Sequence, residues 1–240
     1  MTGGRAAGAV LTWMLLLFTL AAVIFSLAGN GSLLAGKMLE HAPAAVTGLP
    51  ETEYPGMGQM IAGYLTGREA VFQYTLTGGD GVQRECFHDY EAAHMADCRG
   101  LIHLAGSLRW VFGGIALALL GLGALRPALR KPMAEGMLTG LWIFLAAAAA
   151  LAVWGLLDFD SLFRAFHRLM FTNDGWLLDP RTDLLIRLMP VSFFTELAVR
   201  CLVWLLGAAL LILTAAEFVR IKERAKSGER RSGPETGRKV

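Results

Sequence analysis

Residues 6–36 contain no Asp, Glu, Lys or Arg. Within this stretch 8–28 is almost wholly apolar and long enough to cross a hydrocarbon core about 30 Å thick. Three more runs of the same kind follow, at 106–125, 136–157 and 196–216. The second is interrupted by Arg109 and the fourth by Arg200, one turn inside it. The first run is longer than the apolar part of a signal peptide and no small-x-small cleavage site follows it, so it is expected to be a retained helix. The rest of the composition agrees. The chain is 55% hydrophobic and 18% charged, with a mean hydropathy of +0.49, where a soluble domain has about 25% charged residues and 45–50% apolar ones. These values exclude an ordinary soluble enzyme, a disordered tail and a disulfide scaffold. The expected fold is an all-α membrane protein of four transmembrane helices carrying a small cap of helices, with a short β-hairpin as one element of it.

Charge counting orients the spans. The N-terminal tail, the loop 126–135 and the tail 217–240 together hold 12 Lys/Arg and 5 Asp/Glu, whereas 28–105 and 158–196 together hold 8 Lys/Arg and 15 Asp/Glu. The positive-inside rule puts both termini and the short basic loop in the cytoplasm, and the cap segments 29–105 and 158–195 outside. The basic tail reads as a topogenic, solvated, largely disordered segment rather than a nucleic-acid ligand, so no nucleic-acid partner is expected. Gly136 and Gly140 form a G-x-x-x-G, which permits close helix approach but is common in apolar helices.

The cap segments carry punctuation. Met57–Thr66 has helical signals, Gly78-Gly79-Asp80-Gly81 is a tight turn within a hairpin over 70–84, and Cys86–His103 reads as a helix running on into the second span. In the later segment Asp158 or Asp160 can cap a helix over 161–171, Asn173-Asp174-Gly175 is a turn, and Asp179-Pro180 opens a helix over 180–189.

Five histidines, His41, His88, His94, His103 and His167, all fall on the outer side by this topology. Glu91 and Asp97 lie three residues either side of His94 and share its helix face. A carboxylate there can fix the imidazole tautomer and free the other nitrogen for proton transfer; the alternative is a surface histidine on an acidic helix. Phe163 and Phe171 flank His167 at i−4 and i+4. An imidazole in such an aromatic stripe is partly desolvated and held neutral, as a general base must be; the alternative is a histidine lying on lipid headgroups. Cys98, four residues after His94, permits a thiol–imidazole pair, but no third member of a nucleophilic triad is evident. His88, His94 and Cys98 fit no zinc spacing. No cofactor or metal is indicated. Arg109 and Arg200, charges inside spans, either serve function or snorkel to headgroups.

Two segments together resemble a known family. Residues 84–97, Arg-Glu-Cys-Phe-His-Asp-Tyr-Glu-Ala-Ala-His-Met-Ala-Asp, end in the H-M-x-D of the bacterial lipoprotein intramolecular transacylases. Phe166-His167 with Phe171, Trp176, Asp179-Pro180, Asp183, Ile186, Pro190 and Phe193-Phe194 is similar to that family's second signature, F-H followed by W-x-x-D-P and L-I…P…F-F. Cys98 departs from the expected Val and Arg99 from Lys, and the region 37–80 matches only at Tyr64-Leu65. The resemblance implies a bacterial cell-membrane enzyme whose substrate is the diacylated N-terminus of a lipoprotein within membrane lipid. The sn-2 acyl chain of the diacylglyceryl-cysteine would move to the cysteine α-amino group, leaving a lyso-form lipoprotein. The substrate's own amine is the nucleophile, so two histidines, His94 and His167, suffice as acid and base, converging under the cap. Glu91 and Asp97 would orient His94. Phe87, Tyr90, Phe163, Phe166, Phe171 and Trp176 would line the substrate pocket, and Arg109 or Arg200 would polarise the ester.

Two other readings compete. A membrane thiol–disulfide oxidoreductase has Cys86 and Cys98 on the oxidising side but lacks the second redox pair or C-x-x-C that it needs; three cysteines allow at most one internal disulfide. A non-enzymatic accessory protein is not excluded by composition.

Overall fold

A computed structural model describes residues 2–79 and 81–231. Among these the chain forms α1 (Thr2–Ala28), α2 (Gly31–His41), α3 (Ala44–Thr47), a 3-10 turn (Glu51–Glu53), α4 (Tyr54–Thr66), β1 (Thr75–Thr77), β2 (Gln83–Glu85), α5 (Asp89–Leu125), α6 (Pro127–Leu157), α7 (Phe159–Met170), α8 (Leu184–Leu188) and α9 (Val191–Arg231). Four of these, α1, α5, α6 and α9, are long and apolar enough to cross a membrane.

The residues divide into two compact units, and each of the four long helices contributes to both. The first unit takes the residues up to Thr19, then Trp110–Ala149, and those from Leu205 on. Its core is Leu16, Leu141, Ala209 and Ile212, with a second cluster of Leu11, Ala116 and Met133. Trp13 meets Phe144 edge-on at 5.4 Å, and the Thr12 hydroxyl donates to the Met137 carbonyl at 3.0 Å. Here the G-x-x-x-G has a clear use. A Cβ on Gly136 would overlap the Arg5 carbonyl, one on Gly8 would overlap the Met133 carbonyl, and one on Gly140 would lie 2.9 Å from the Ala9 Cα. Only glycine lets α1 and α6 pack backbone to backbone. Large apolar side chains such as Leu117, Trp142 and Leu211 are exposed, as a lipid-facing surface requires.

The second unit, Leu20–Arg109 with Ala150–Trp204, holds the segments between the spans. Its core includes Met38, Tyr54, Met57, Ile61, Leu188 and Phe193, all essentially inaccessible. The Tyr54 hydroxyl reaches the Ala42 carbonyl and lies 2.7 Å from the Thr47 hydroxyl, tying α4 to the chain before it. Helix α4 starts earlier than its residue pattern suggests, at Tyr54, because Pro55 occupies a first-turn position whose N–H is not needed. Gly67, at φ +83°, ends it in the left-handed region. The hairpin forms with Leu76 opposite Arg84, Gly81 supplying a φ of +77° at its turn; Asp80 lies outside the described residues.

Several expected boundaries move. The helix read over 86–103 begins at Asp89 and does run unbroken into the second span. The basic loop 126–135 is almost all helix: only Arg126 separates α5 from α6, and the Arg130 guanidinium donates to the Gly123 and Ala124 carbonyls that end α5. The tail expected to be disordered continues α9 through Arg231; residues 232–240 lie outside the described residues. Asp158 caps α7, its carboxylate accepting the Ser161 N–H at 2.9 Å. Asp179-Pro180 does not open a helix. The Arg181 side chain and N–H both bind the Asp179 carboxylate, and the Asp179 N–H binds Asp183 at 2.7 Å. These contacts hold 179–183 as turns, and α8 starts at Leu184.

Candidate active site

His94 and His167 come together within the second unit, with ring centroids 6.1 Å apart. They arrive from different elements. His94 sits one and a half turns into α5, and His167 is the buried residue of α7, whose other faces are half-exposed or exposed. The two imidazoles are 8% and 7% exposed. Phe171, just past the end of α7, lies 5.2 Å from His94 and 5.5 Å from His167. Phe163 at 4.1 Å, Trp176 at 5.1 Å and Phe166 at 5.5 Å complete the wall around His167. Phe194, absent from the expected set, packs on Phe163 at 5.1 Å. The F-F pair in the first turn of α9 was the available signal for it.

The hydrogen bonds of the two rings differ. His167 Nδ1 lies 2.8 Å from the Phe163 carbonyl. A carbonyl only accepts, so Nδ1 carries the proton and Nε2 of the neutral ring is a bare lone pair. His94 Nε2 lies 3.5 Å from the Cys98 sulfur, and its buried Nδ1 has no partner among the described residues. Both imidazoles are held below the ordinary histidine pKa by burial. His94 is pushed down to about 4, the neighbouring His167 adding to burial and Asp97 opposing it; the carbonyl bond to Phe163 partly offsets the effect on His167. Helix α5 has 37 residues, about 55 Å of rise, and its apolar run begins at Gly106, about 18 Å beyond His94.

The expected carboxylates do not orient His94. Glu91 is fully buried, but it turns away. One oxygen accepts the His88 N–H at 2.8 Å, capping α5, and the other accepts the Leu185 N–H at 2.8 Å, capping α8. Asp97 accepts from the Asn173 side-chain amide at 3.0 Å and touches His94 only through its charge. Phe87 is also misplaced by the sequence pattern: it belongs to the core, 4.7 Å from Phe72. Tyr90 stacks on His88 and donates to Asp183 at 2.6 Å. Asp183 is a buried hub. Burial alone would raise its pKa, but donors from Thr182, Tyr90 and the Asp179 backbone hold it below the carboxylate range.

The two arginines expected inside the spans sit in other company. Arg109 places its guanidinium 4.2 Å over the Phe25 ring, a cation–π contact. Arg200 pairs with Glu196 at 2.8 Å, and Glu196 also takes Lys37 at 2.7 Å and His41 at 2.9 Å. Glu40, His41 and Glu196 could each offer an atom to one cation, but the Lys37 ammonium already bridges both carboxylates. Cys86, Cys98 and Cys201 are unpaired. Burial, with a carboxylate nearby, pushes the Cys86 thiol up to about 11 and Cys98 up to about 12, which keeps both from acting as thiolates at neutral pH.

The family model for the lipoprotein intramolecular transacylase Lit matches residues 9–194. The chain belongs to this family. It is therefore a multi-pass membrane enzyme, a lipoprotein intramolecular transacylase, and the oxidoreductase and accessory readings fall away. Its fold is that of the membrane integral Lit from Bacillus cereus: one solved structure is 18% identical, with a TM-score of 0.70 over 93% of this chain and 99% of that one. Two more, carrying a histidine-to-arginine and a histidine-to-alanine substitution, each give a TM-score of 0.67 at 18% identity, covering 94% and 93% of this chain and 95% and 96% of theirs. No curated protein matches. The candidate site of this transacylase is thus a pair of buried imidazoles in an aromatic wall, with the Cys98 thiol beside them held protonated by burial.

Proposed function

We propose that this transacylase moves the sn-2 acyl chain of a lipoprotein's diacylglyceryl-cysteine to the cysteine α-amino group, with His167 as base and His94 as the group that polarises the ester. The paired imidazoles, 6.1 Å apart and both buried, are the observation that carries this reading. Either ring can reach a reacting group within about 3 Å in such an arrangement.

The α-amine, with a reference pKa near 7.7–8.0, reaches the site largely protonated and must first lose a proton. The neutral amine then attacks the acyl carbon. Nε2 of His167, the bare lone pair, takes the second proton as the N–C bond forms. The resulting imidazolium returns that proton to the glyceryl oxygen as the C–O bond breaks. Products are an amide and a free hydroxyl, and the enzyme ends as it began. His94 is neutral over the working range, so it cannot serve as a cationic acid. Its Nδ1–H instead donates to the developing oxyanion, as a neutral imidazole does when it polarises a carbonyl. The cyclic transition state runs through nitrogen, Cα, Cβ, sulfur, two glyceryl carbons, the ester oxygen and the acyl carbon. Such a medium ring closes poorly in free solution, and confinement by Phe163, Phe166, Phe171 and Trp176 supplies orientation. The acyl chains of the substrate come from membrane lipid, and nucleic acid has no part in the reaction.

The test is mass spectrometry of a reporter lipoprotein's N-terminal peptide in a host without N-acylating activity. Wild-type protein should move one acyl chain from glyceryl to nitrogen at unchanged mass. His167→Ala and His94→Ala should each reduce turnover by about 10²–10⁴-fold. An unshifted peptide alongside well-expressed wild-type protein would overturn the reading.

A further inference from the structure

Resting on that reading, we propose that Cys98 is a positioning residue of the reaction, its S–H donating to His94 Nε2 and so directing the His94 N–H toward the substrate from Nδ1. Three observations meet here. The sulfur is 3.5 Å from Nε2, one turn along the same helix. His94 Nδ1 is buried and makes no hydrogen bond among the described residues. Neither carboxylate on the same helix face bonds the ring, since Glu91 is taken by the His88 and Leu185 N–H groups and Asp97 by Asn173.

The direction of the bond follows from the chemistry of its two ends. A neutral imidazole nitrogen is a strong acceptor, whereas a thiol sulfur accepts weakly and can donate its proton. Burial keeps that proton on Cys98. With Nε2 accepting, the single ring proton lies on Nδ1. None of the described residues competes for that proton, so it is free for an oxyanion. Remove the thiol, and the ring can turn its proton to Nε2, presenting a lone pair where the substrate needs a donor. A carboxylate or carbonyl normally sets a catalytic imidazole's tautomer, and locking the wrong one costs about 10⁴-fold in rate. Losing a weak thiol bond only relaxes the preference, so a smaller effect follows.

Cys98→Ser and Cys98→Val separate this role from packing. Serine keeps an O–H donor at the same place, and valine fills the volume without one. On a diacylglyceryl-cysteine peptide in proteoliposomes, Cys98→Val should lower kcat by about tenfold with KM unchanged, within the limit set by full tautomer reversal. Cys98→Ser should stay near wild type. Nitrogen-15 NMR of histidine-labelled protein should show His94 protonated at Nδ1 in wild type and Cys98→Ser, and shifted toward Nε2 in Cys98→Val. A kcat unchanged by Cys98→Val, or a His94 tautomer the same in all three proteins, overturns the proposal. The NMR arm needs no turnover, so it reads the tautomer even where wild-type protein fails to transfer acyl chains, an outcome that would instead sink the functional reading.

Discussion

Glu91 and His94 lie three residues apart on one helix face, yet the carboxylate ignores the ring and binds two backbone N–H groups. Spacing along a helix says which side chains can meet; it does not say which remote donor will arrive between them. The Leu185 N–H, 94 residues away, decides the matter, and no local pattern announces it. Burial of His167 was legible, because an imidazole flanked by Phe163 and Phe171 has little water to face; that of His94 was not, since Glu91 and Asp97 on its helix face read equally as an acidic surface. Burial of both has a consequence for pH. Both imidazoles titrate below the unfolded value of about 6.5, His94 near 4. Between those values the unfolded chain binds protons that the folded chain refuses, so stability falls as pH drops through 6.5 and keeps falling toward 4. Above about pH 7 the pair contributes no pH dependence. The unfolding midpoint of detergent-solubilised protein should therefore fall by several degrees between pH 7 and 5, and the slope should flatten in a His94→Gln, His167→Gln double variant. An equal slope in both proteins would mean that other groups govern it.

At the scale of elements, the four spans were legible because a run of about 20 apolar residues has few alternatives. Their ends were legible only in part. The extension of α5 upstream of its apolar run was read from the residues, whereas that of α9 far downstream was not, since Glu, Lys and Arg are good helix formers and carry no stop signal. The opposite error occurred at Pro180, where a good local start signal lost to the Asp179–Arg181 clamp and the Asp183 hub. The G-x-x-x-G of α6 was visible, and its partner was equally present in the sequence: Gly4 and Gly8 form a second G-x-x-x-G on α1, and a Cβ on Gly4 would lie 3.0 Å from the Pro132 ring. Their complementarity makes a sharp prediction. Gly136→Val would drive a side chain into the Arg5 carbonyl, so it should destabilise the protein at the upper end of the 1–3 kcal/mol typical of overpacking, or beyond, on the order of 3 kcal/mol. Gly207→Ala, with open space at its Cβ, should leave the unfolding midpoint unchanged or slightly raised. Similar midpoints for both variants would show that α1 and α6 do not depend on this approach.

The whole molecule poses a question of direction. Four spans return the chain to the side on which it started, so both ends share a compartment. Basic residues concentrate at those ends and at the α5–α6 break between them: Arg5, then Arg126, Arg130 and Lys131 at the break, then Arg220, Lys222, Arg224 and Lys226 on the last turns of α9. Because α9 runs unbroken into this segment and only Arg126 interrupts α5 and α6, these charges are held within a few turns of the apolar runs. Proximity of that kind gives Lys and Arg their topogenic weight. The long segment between α1 and α5 carries the acidic excess, and its length leaves it free to cross. On this charge pattern we propose that the histidine pair lies on the outer side, where a diacylated lipoprotein N-terminus is found once its signal peptide has been removed. Alkaline phosphatase fused after Arg231 should be inactive and a fluorescent protein fused there should glow, whereas phosphatase inserted at the hairpin turn beside Gly79 should be active. Phosphatase activity at the C-terminal fusion would invert the molecule and put the two imidazoles on the wrong side of the bilayer for this substrate, a result that no local property of the site could repair.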